Sequence, residues 1–311
     1  MKIWPANTVL LVQPACFRNN EQTATNNKFQ SAGLADGVQE AALAEFQALV
    51  TMLEKKGIHT IVVPDVVEND TPDSLFPNNW FSTHEDGTMV RYPMYAPNRR
   101  HERRREIQEA LIARGFEISH VLDLSEEENS GHFLEGTGSL VLDRQNRKAY
   151  MAISGRSDPE LALRWATELG YELITFHAWH RHEEVDVPVY HTNVMLAIGP
   201  TMNIWCEASV RDVAEKEKVR EKLIASGRPL LVISEDQMNA FAGNMIELQN
   251  QSGQHFLFMS SSAYNSLRPE QLGIIASHIE PVHVPLPVIE TNGGGSLRCM
   301  VAEVFLPRRI S

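Results

Sequence analysis

Cysteine is scarce in this chain. Three occur in 311 residues, Cys16, Cys206 and Cys299, odd in number and far apart. That excludes a disulfide framework and a CxxC metal site. Long apolar runs are missing too. No stretch approaches the ~20 consecutive apolar residues of a membrane span. The opening MKIWPANTVLLVQP carries one Lys and a short apolar run broken by Pro5 and Pro14, which is too weak for a signal peptide. Positive charge is in short supply. A net charge of −12 disfavours nucleic acid and anionic membrane as partners, because both need a positive footprint. GxGxxG, the P-loop and GxSxG are all absent. What remains is a chain with 43% hydrophobic residues, enough for a large core. The expectation is a cytoplasmic soluble protein. Length alone allows two domains or one large barrel or propeller.

Against these absences stands a repeated pattern: a helix ending at glycine, then a strand. VQEAALAEFQALVTMLEKKG leads into IHTIVVPD, HERRREIQEALIARG into FEISHVLDL, PELALRWATELG into YELITF, and VAEKEKVREKLIASG into RPLLVISE. Asp36 with Gln39 has the spacing of a capping box for the first helix. The glycines are 57, 115, 170 and 227, so the intervals are 58, 55 and 57. A fifth copy, RPEQLGIIASHIE into PVHVPLPV, lacks the glycine; its strand starts near Val282, 54 residues after Arg228. A regular period marks a repeat architecture. A doubly wound α/β sheet would also alternate strands and helices.

Phase sharpens the choice. About 17 to 22 residues after each glycine, or its equivalent, a polar or glycine-rich motif interrupts apolar sequence. The five are FPNNWFS (76–82), LEGTGSL (134–140), VYHTNVML (189–196), FAGNMIEL (241–248) and GGGSLRCM (293–300). Motifs at one phase of five repeats converge around a pseudo-fivefold axis. The predicted fold is therefore α/β: a five-bladed pseudo-fivefold α/β propeller with repeats of about 55 residues, in ββαβ-type modules. It is read as a single domain over 1–311, since no Pro-, Gly- or Ser-rich linker and no low-complexity tract divides it. The N-terminal TVLLVQP strand helps close the ring. Residues 14 to 35 are the least regular and read as a mobile loop over one face.

Several residues in these motifs could carry chemistry. The glycines before Cys299 allow close backbone approach or positive φ, and Arg298 beside it could favour a thiolate, the nucleophilic form. A flexible loop alone would also explain the glycines. Cys16 and Cys206 lie in apolar, strand-like contexts and read as inert core. His191 sits on an apolar strand with Thr192 and Asn193 after it; histidine is the usual acid–base partner of a cysteine nucleophile. Glu135 is an acid in an apolar run and needs a partner, a substrate being one candidate. Asn78, Asn79 and Asn244 are turn formers by default. His177, His180, His182 and His191 invite a zinc-hydrolase reading, but their spacing fits no zinc pattern; a polar loop before a strand accounts for the first three.

FPNNWFS, EGTGS, YHTNV, AGN and GGGSLRCM, in that order over nearly the whole chain, resemble the guanidino-group modifying enzymes. That superfamily holds arginine deiminase, dimethylarginine hydrolase and the amidinotransferases. Within it the chain is most similar to the citrulline utilisation hydrolases. The resemblance implies a five-bladed α/β propeller, a nucleophile at Cys299, a histidine acid–base at His191 and a substrate-binding glutamate at Glu135. Arginine deiminases have an aspartate in the motif matching FPNNWFS, where this chain has Asn78 and Asn79. They have His-x-Asp where it has His191-Thr192-Asn193. The expected reaction is attack of Cys299 on a ureido or guanidino carbon, with citrulline giving ornithine, carbon dioxide and ammonia. Asn78, Asn79, Asn193, Asn244, Arg99 and Arg298 are candidate substrate ligands. Arg99 and Arg100 are candidates for a substrate carboxylate, the alternative being a solvated helix start, and Asp86 is the acid that could add a charge. No metal or organic cofactor is required. A small molecule is the partner, and a homodimer stays open. The rival readings are an arginine-deiminase-like or amidinotransferase activity, or a non-catalytic small-molecule binding protein.

Overall fold

A computed structural model describes residues 4–24, 26–30, 37–182 and 185–309. It contains five three-stranded sheets built to one plan. Two short antiparallel strands are followed by a helix and then a third strand, parallel to the second. The sheets comprise Phe81–Thr83, Thr88–Arg91 and His120–Asp123; Val141–Asp143, Lys148–Ala152 and Glu172–Phe176; Leu196–Ile198, Asn203–Trp205 and Leu230–Val232; and Ile246–Gln249, His255–Ser260 and Glu280–Val284. The fifth joins the two ends of the chain. Ala302–Glu303 pairs antiparallel with Thr8–Gln13, with Val9 opposite Glu303, and Thr8–Gln13 pairs in parallel with His59–Pro64.

The helices before the third strands are Val38–Lys55, Arg105–Ala113, Pro159–Leu169, Val213–Ile224 and Pro269–His278. The Pro159–Leu169 helix shows why they form where they do. The Asp158 carboxylate accepts from the Glu160 and Leu161 N–H groups, Pro159 fills the first turn, and Gly170 closes the helix in the left-handed region at φ 66°. One face buries Leu161, Ala162, Trp165, Ala166 and Leu169. Truncating Trp165 would cost about 3–5 kcal/mol by the usual measure for a buried aromatic. The other three period-setting glycines, Gly57, Gly115 and Gly227, also have positive φ.

Some expectations shift. Asp36 lies outside the described residues, as do residues 25 and 31–35 of the expected loop. The first helix is preceded by Gly37, while the Gln39 amide accepts from Phe17 N–H at 2.6 Å and donates to Pro14 O at 2.8 Å. Gln39 therefore ties the loop to the helix rather than capping it. The stretch expected as a polar loop before His191 forms an antiparallel hairpin, Trp179–His182 with Val185–Pro188. The apolar alternation of Val185 and Val187 supports a strand. Cys16 is half-buried beyond the end of Thr8–Gln13 rather than within a strand. Cys206 is buried, and burial pushes its thiol up to about 11. Among the described residues no helix is long and apolar enough to cross a membrane.

Candidate active site

Each of the five sequence motifs forms a tight turn immediately before the first strand of a sheet. Pro77–Asn79 precedes Phe81–Thr83, Gly136–Ser139 precedes Val141–Asp143, and Thr192–Val194 precedes Leu196–Ile198. A turn through 241–243 precedes Ile246–Gln249, and Leu297–Met300 precedes Ala302–Glu303. These turns touch in a closed circuit. The 136–139 turn meets both the 77–79 and the 192–194 turns, and the 77–79 turn meets 297–300. Asn244 bridges the remaining gap, donating to Asn193 O at 3.0 Å and to Cys299 Sγ at 3.3 Å. Residues more than 50 positions apart thus share one small cavity, lined by Asp73, Asn79, Arg99, Arg156, His191 and Cys299 with Thr23, Asn27, Phe76, Tyr190 and Gly293–Gly295.

Cys299 is 3% exposed. The Asn193 side-chain amide also donates to its sulfur, at 3.5 Å. The glycine run serves two ends: Gly294 turns the chain at φ 63°, and Gly293 and Gly295 lie so close to the Phe76 ring that a Cβ would fall 2.8 Å and 3.0 Å from it. His191 Nε2 meets Glu135 Oε2 at 2.8 Å. Burial pulls the imidazole down to about 4, even though Glu135 pulls the other way. Burial also pushes the Glu135 carboxyl up, but Arg156 and the His191 bond outweigh it and hold the group well below the usual carboxylate range. Glu135 Oε1 accepts from Tyr95 N–H at 3.0 Å, and Oε2 lies 3.4 Å from Arg156 Nη1. Oε2 is thus engaged twice and Oε1 once, which leaves Oε1 one open acceptor site.

The orientation of the Asn79 carboxamide is fixed by one bond. Its Oδ1 accepts from Arg99 Nη1 at 2.9 Å, which fixes the side of the amide that carries NH2. That NH2 is buried and has no hydrogen-bond partner among the described residues. It lies against Gly138 beside His191: a Cβ on Gly138 would fall 2.5 Å from Asn79 Nδ2 and 2.8 Å from His191 Nδ1. Asn78 turns instead to Thr137, at 3.2 Å. Arg99 is 2% exposed, so it is no solvated helix start; it grips Glu102 with two bonds of 2.8 and 3.0 Å.

Other candidates lie elsewhere. The Arg298 guanidinium is held by Val301 O at 2.9 Å and Glu303 at 3.1 Å, and it lines a different cavity. Only its backbone N–H enters the constellation, donating to Asn244 Oδ1 at 3.1 Å. Arg100 donates to Met94 O, and Asp86 is an exposed turn acid that accepts from Thr88 N–H. His177 pairs with Glu215 and His180 stacks on Phe29, with ring centroids 4.8 Å apart. The His182 side chain is outside the described set. No cluster of three or more His, Cys, Asp or Glu that could hold a metal occurs among the described residues.

Two site residues escaped the sequence reading. Asp73 is 2% exposed; its Oδ2 accepts from Asn20 and Thr23, while Oδ1 has no partner among the described residues. Burial pushes its carboxyl up against the pull of Arg99. Arg156 is also 2% exposed, and Asn26 Oδ1 and Thr23 O accept from it. The period held a signal for Arg156. It lies 57 residues after Arg99, and Arg211 follows 55 residues later, each beyond the second strand of its sheet. For Asp73 the signal was its place three residues before FPNN. Thr23, Asn26 and Asn27 come from the loop expected over one face. Its described part covers the cavity, with Asn27 donating to Gly293 O and Gly294 O.

This fold and this set of buried groups define a cysteine-centred site. Residues 13–306 match the family model of N,N dimethylarginine dimethylhydrolase, eukaryotic. The chain belongs to that family and, with it, to the superfamily of guanidino-group modifying amidinotransferases. It is a cysteine-dependent hydrolase of C–N bonds of that superfamily. No curated protein matches it. Among solved structures it is similar to the N-terminal domain of ArgZ, an arginine dihydrolase from the ornithine–ammonia cycle in cyanobacteria. Identity there is 17%, coverage 96% of this chain and 99% of that one, and the TM-score 0.71. Unliganded AgrE gives 17% identity and a TM-score of 0.74 over 98% of this chain, which spans 40% of AgrE. A dimethylarginine dimethylaminohydrolase adduct with S-methyl-L-thiocitrulline gives 13% identity and a TM-score of 0.64, covering 96% of this chain and 99% of that one. These likenesses show the shared fold.

Proposed function

We propose that the substrate is citrulline, hydrolysed to ornithine, carbon dioxide and ammonia. The observation that carries this is the Asn79 amide. Arg99 fixes its oxygen, so the unpaired NH2 is held against Gly138 beside His191, in a residue that lines the cavity with Cys299. A ureido group has an oxygen to accept that bond, whereas a guanidinium has donors only. The Asn193 Oδ1 is likewise buried without a partner among the described residues, but Asn193 lines the neighbouring cavity and meets Cys299 through its NH2. Glu135 is already engaged by His191, Arg156 and Tyr95. It therefore supports the histidine rather than gripping the substrate. Of the site's carboxylates, a buried guanidinium would find one oxygen without a partner among the described residues, Asp73 Oδ1. In the same lining, Arg156 and Arg99 suit an α-carboxylate, and the Asp73 Oδ1, unpaired among the described residues, suits an α-ammonium.

The reaction follows. The Cys299 thiol proton passes to His191, and the thiolate attacks the ureido carbon. The C–N bond to ornithine breaks, and the imidazolium, supported by Glu135, returns the proton to the leaving nitrogen. Water, deprotonated by His191, then cleaves the S-carbamoyl cysteine, and the carbamate released breaks down to carbon dioxide and ammonia. We also infer that the five sheets are blades of a pseudo-fivefold α/β propeller in a single domain, a reading supported by the closed circuit of motif turns. The Asp73 Oδ1 favours a second reading, a guanidino substrate that lays its charge there. Mass spectrometry of citrulline, arginine, agmatine and dimethylarginine incubations decides between them. Citrulline is expected to give ornithine with the highest kcat/KM; a preference for arginine with citrulline accumulating overturns the proposal.

A further inference from the structure

A cysteine nucleophile acts as its thiolate, and a buried anion needs donors or a cation. The charged and titratable groups around Cys299 are Asp73, Arg99, Glu135, Arg156, Tyr190, His191, Arg298 and Glu303. Arg99 is committed to Glu102 and Asn79, and Arg156 to Asn26, Thr23 and Glu135. Arg298 is turned to Glu303 and Val301 O, and the Tyr190 hydroxyl to Gly294 O. His191 Nε2 is engaged by Glu135. Asp73 and Glu135 bring negative charge. Among the described residues, the donors within reach of Sγ are two carboxamides, Asn193 at 3.5 Å and Asn244 at 3.3 Å.

These two come from the entry turns of different sheets, and Asn244 cannot turn away. Its Oδ1 is held by the Arg298 N–H, and its NH2 bonds Asn193 O as well as the sulfur. We propose that Asn193 and Asn244 together hold the Cys299 thiolate, the task a cation performs for cysteines in electropositive sites. This deepens the proposed function, because a neutral ureido substrate brings no positive charge with which to stabilise the sulfur.

The test needs no substrate, so it can fail independently of the citrulline reading. Alkylation of Cys299 by iodoacetamide is followed by peptide mass spectrometry from pH 5 to 10 in the full chain. Asn193→Leu keeps the approximate shape without the donor; Asn193→Asp and Asn244→Asp keep the shape and replace NH2 by an acceptor. Each is expected to slow alkylation at pH 7 at least tenfold and to move the midpoint of the profile to higher pH, with the double variant Asn193→Asp/Asn244→Asp moved furthest. A uniform slowing at every pH with an unmoved midpoint indicates a merely structural role and overturns the proposal, as does an unchanged profile. Melting curves restrict the reading to variants that fold. If Asn244→Asp does not, the Asn193 pair decides.

Discussion

One set of residues around the cavity is charged: Arg99 and Arg156 with Asp73, Glu102 and Glu135, all buried and tied to one another, to polar side chains or to backbone. A second set is neutral: the Asn193 and Asn244 amides donate to Cys299, Asn79 lies beside His191, and two of these three leave an amide group unpaired among the described residues. The charged set keeps its charges because nearly every one is matched; a buried ion left alone costs several kcal/mol. The neutral set can leave single donors and acceptors open at a far smaller cost, about 1–3 kcal/mol each, which a substrate recovers on binding. The contrast teaches where selectivity resides. Under the proposed citrulline reading, ionic groups anchor the amino acid and carboxamides read the head group.

The comparison breaks most completely at the sulfur. Cys299→Ser is expected to lower kcat by about 10⁴-fold or more, the scale of losing a nucleophile, while citrulline still binds by calorimetry. Cys16→Ser and Cys206→Ser should leave turnover intact. Full activity in Cys299→Ser would end the covalent mechanism. Next comes the pair that moves protons. Glu135→Gln removes the anion beside His191 and is expected to cost about 10²–10⁴-fold in kcat with little change in KM. A change confined to KM would return Glu135 to a substrate-binding role.

Making the neutral set charged sharpens the contrast. Asn79→Asp keeps the Arg99 bond but replaces the NH2 with an acceptor. Citrulline kcat/KM should fall about 10- to 100-fold, equivalent to roughly 1.4–3 kcal/mol, while arginine binding improves. Equal effects on both substrates would show that Asn79 is a turn residue. In the charged set, Arg156→Lys loses the planar fork and should raise the citrulline KM about tenfold with a smaller change in kcat. A substrate analogue without the α-carboxylate should be insensitive; an equal loss would place Arg156 outside the anchoring role. The smallest effect is in pH. His191 must be neutral to take a proton, and burial holds it down to about 4. Activity should therefore persist as pH falls below 6.5 and be lost only as it passes through about 4. A kcat/KM limb near 6.5, the ordinary histidine value, would mean that the imidazole is solvated in the free enzyme.

Cys299, His191, Glu135 and Asn79 were legible as residues because each breaks an apolar stretch at one phase of a repeat. Their partners were less so. Arg156 stood in phase with Arg99, but a single arginine in a loop carries no local sign of burial. Asp73 came from outside the motifs, and Asp86, named as the acid that could add a charge, is exposed and bonds within a turn. Arg298 adjoins the nucleophile in sequence, but on a helical turn adjacent side chains diverge, and Glu303 claims its guanidinium. Glu135 shows the same limit: its buried carboxylate was foreseen, but not that His191, Arg156 and Tyr95 would all bond it.

The chain by itself determined the period of helix and strand, because glycine caps and hydrophobic periodicity act over a few residues. It also determined which side chains break the apolar pattern and so need polar company. Tertiary structure alone decided which way each of them faces. Arg99 sets the orientation of the Asn79 amide from 20 positions away, and Asn193 and Asn244 meet the sulfur from 106 and 55 positions away. Such bonds depend on the closing of five sheets into contact, and hydrogen bonds are set by distances and angles in space rather than by spacing along the chain.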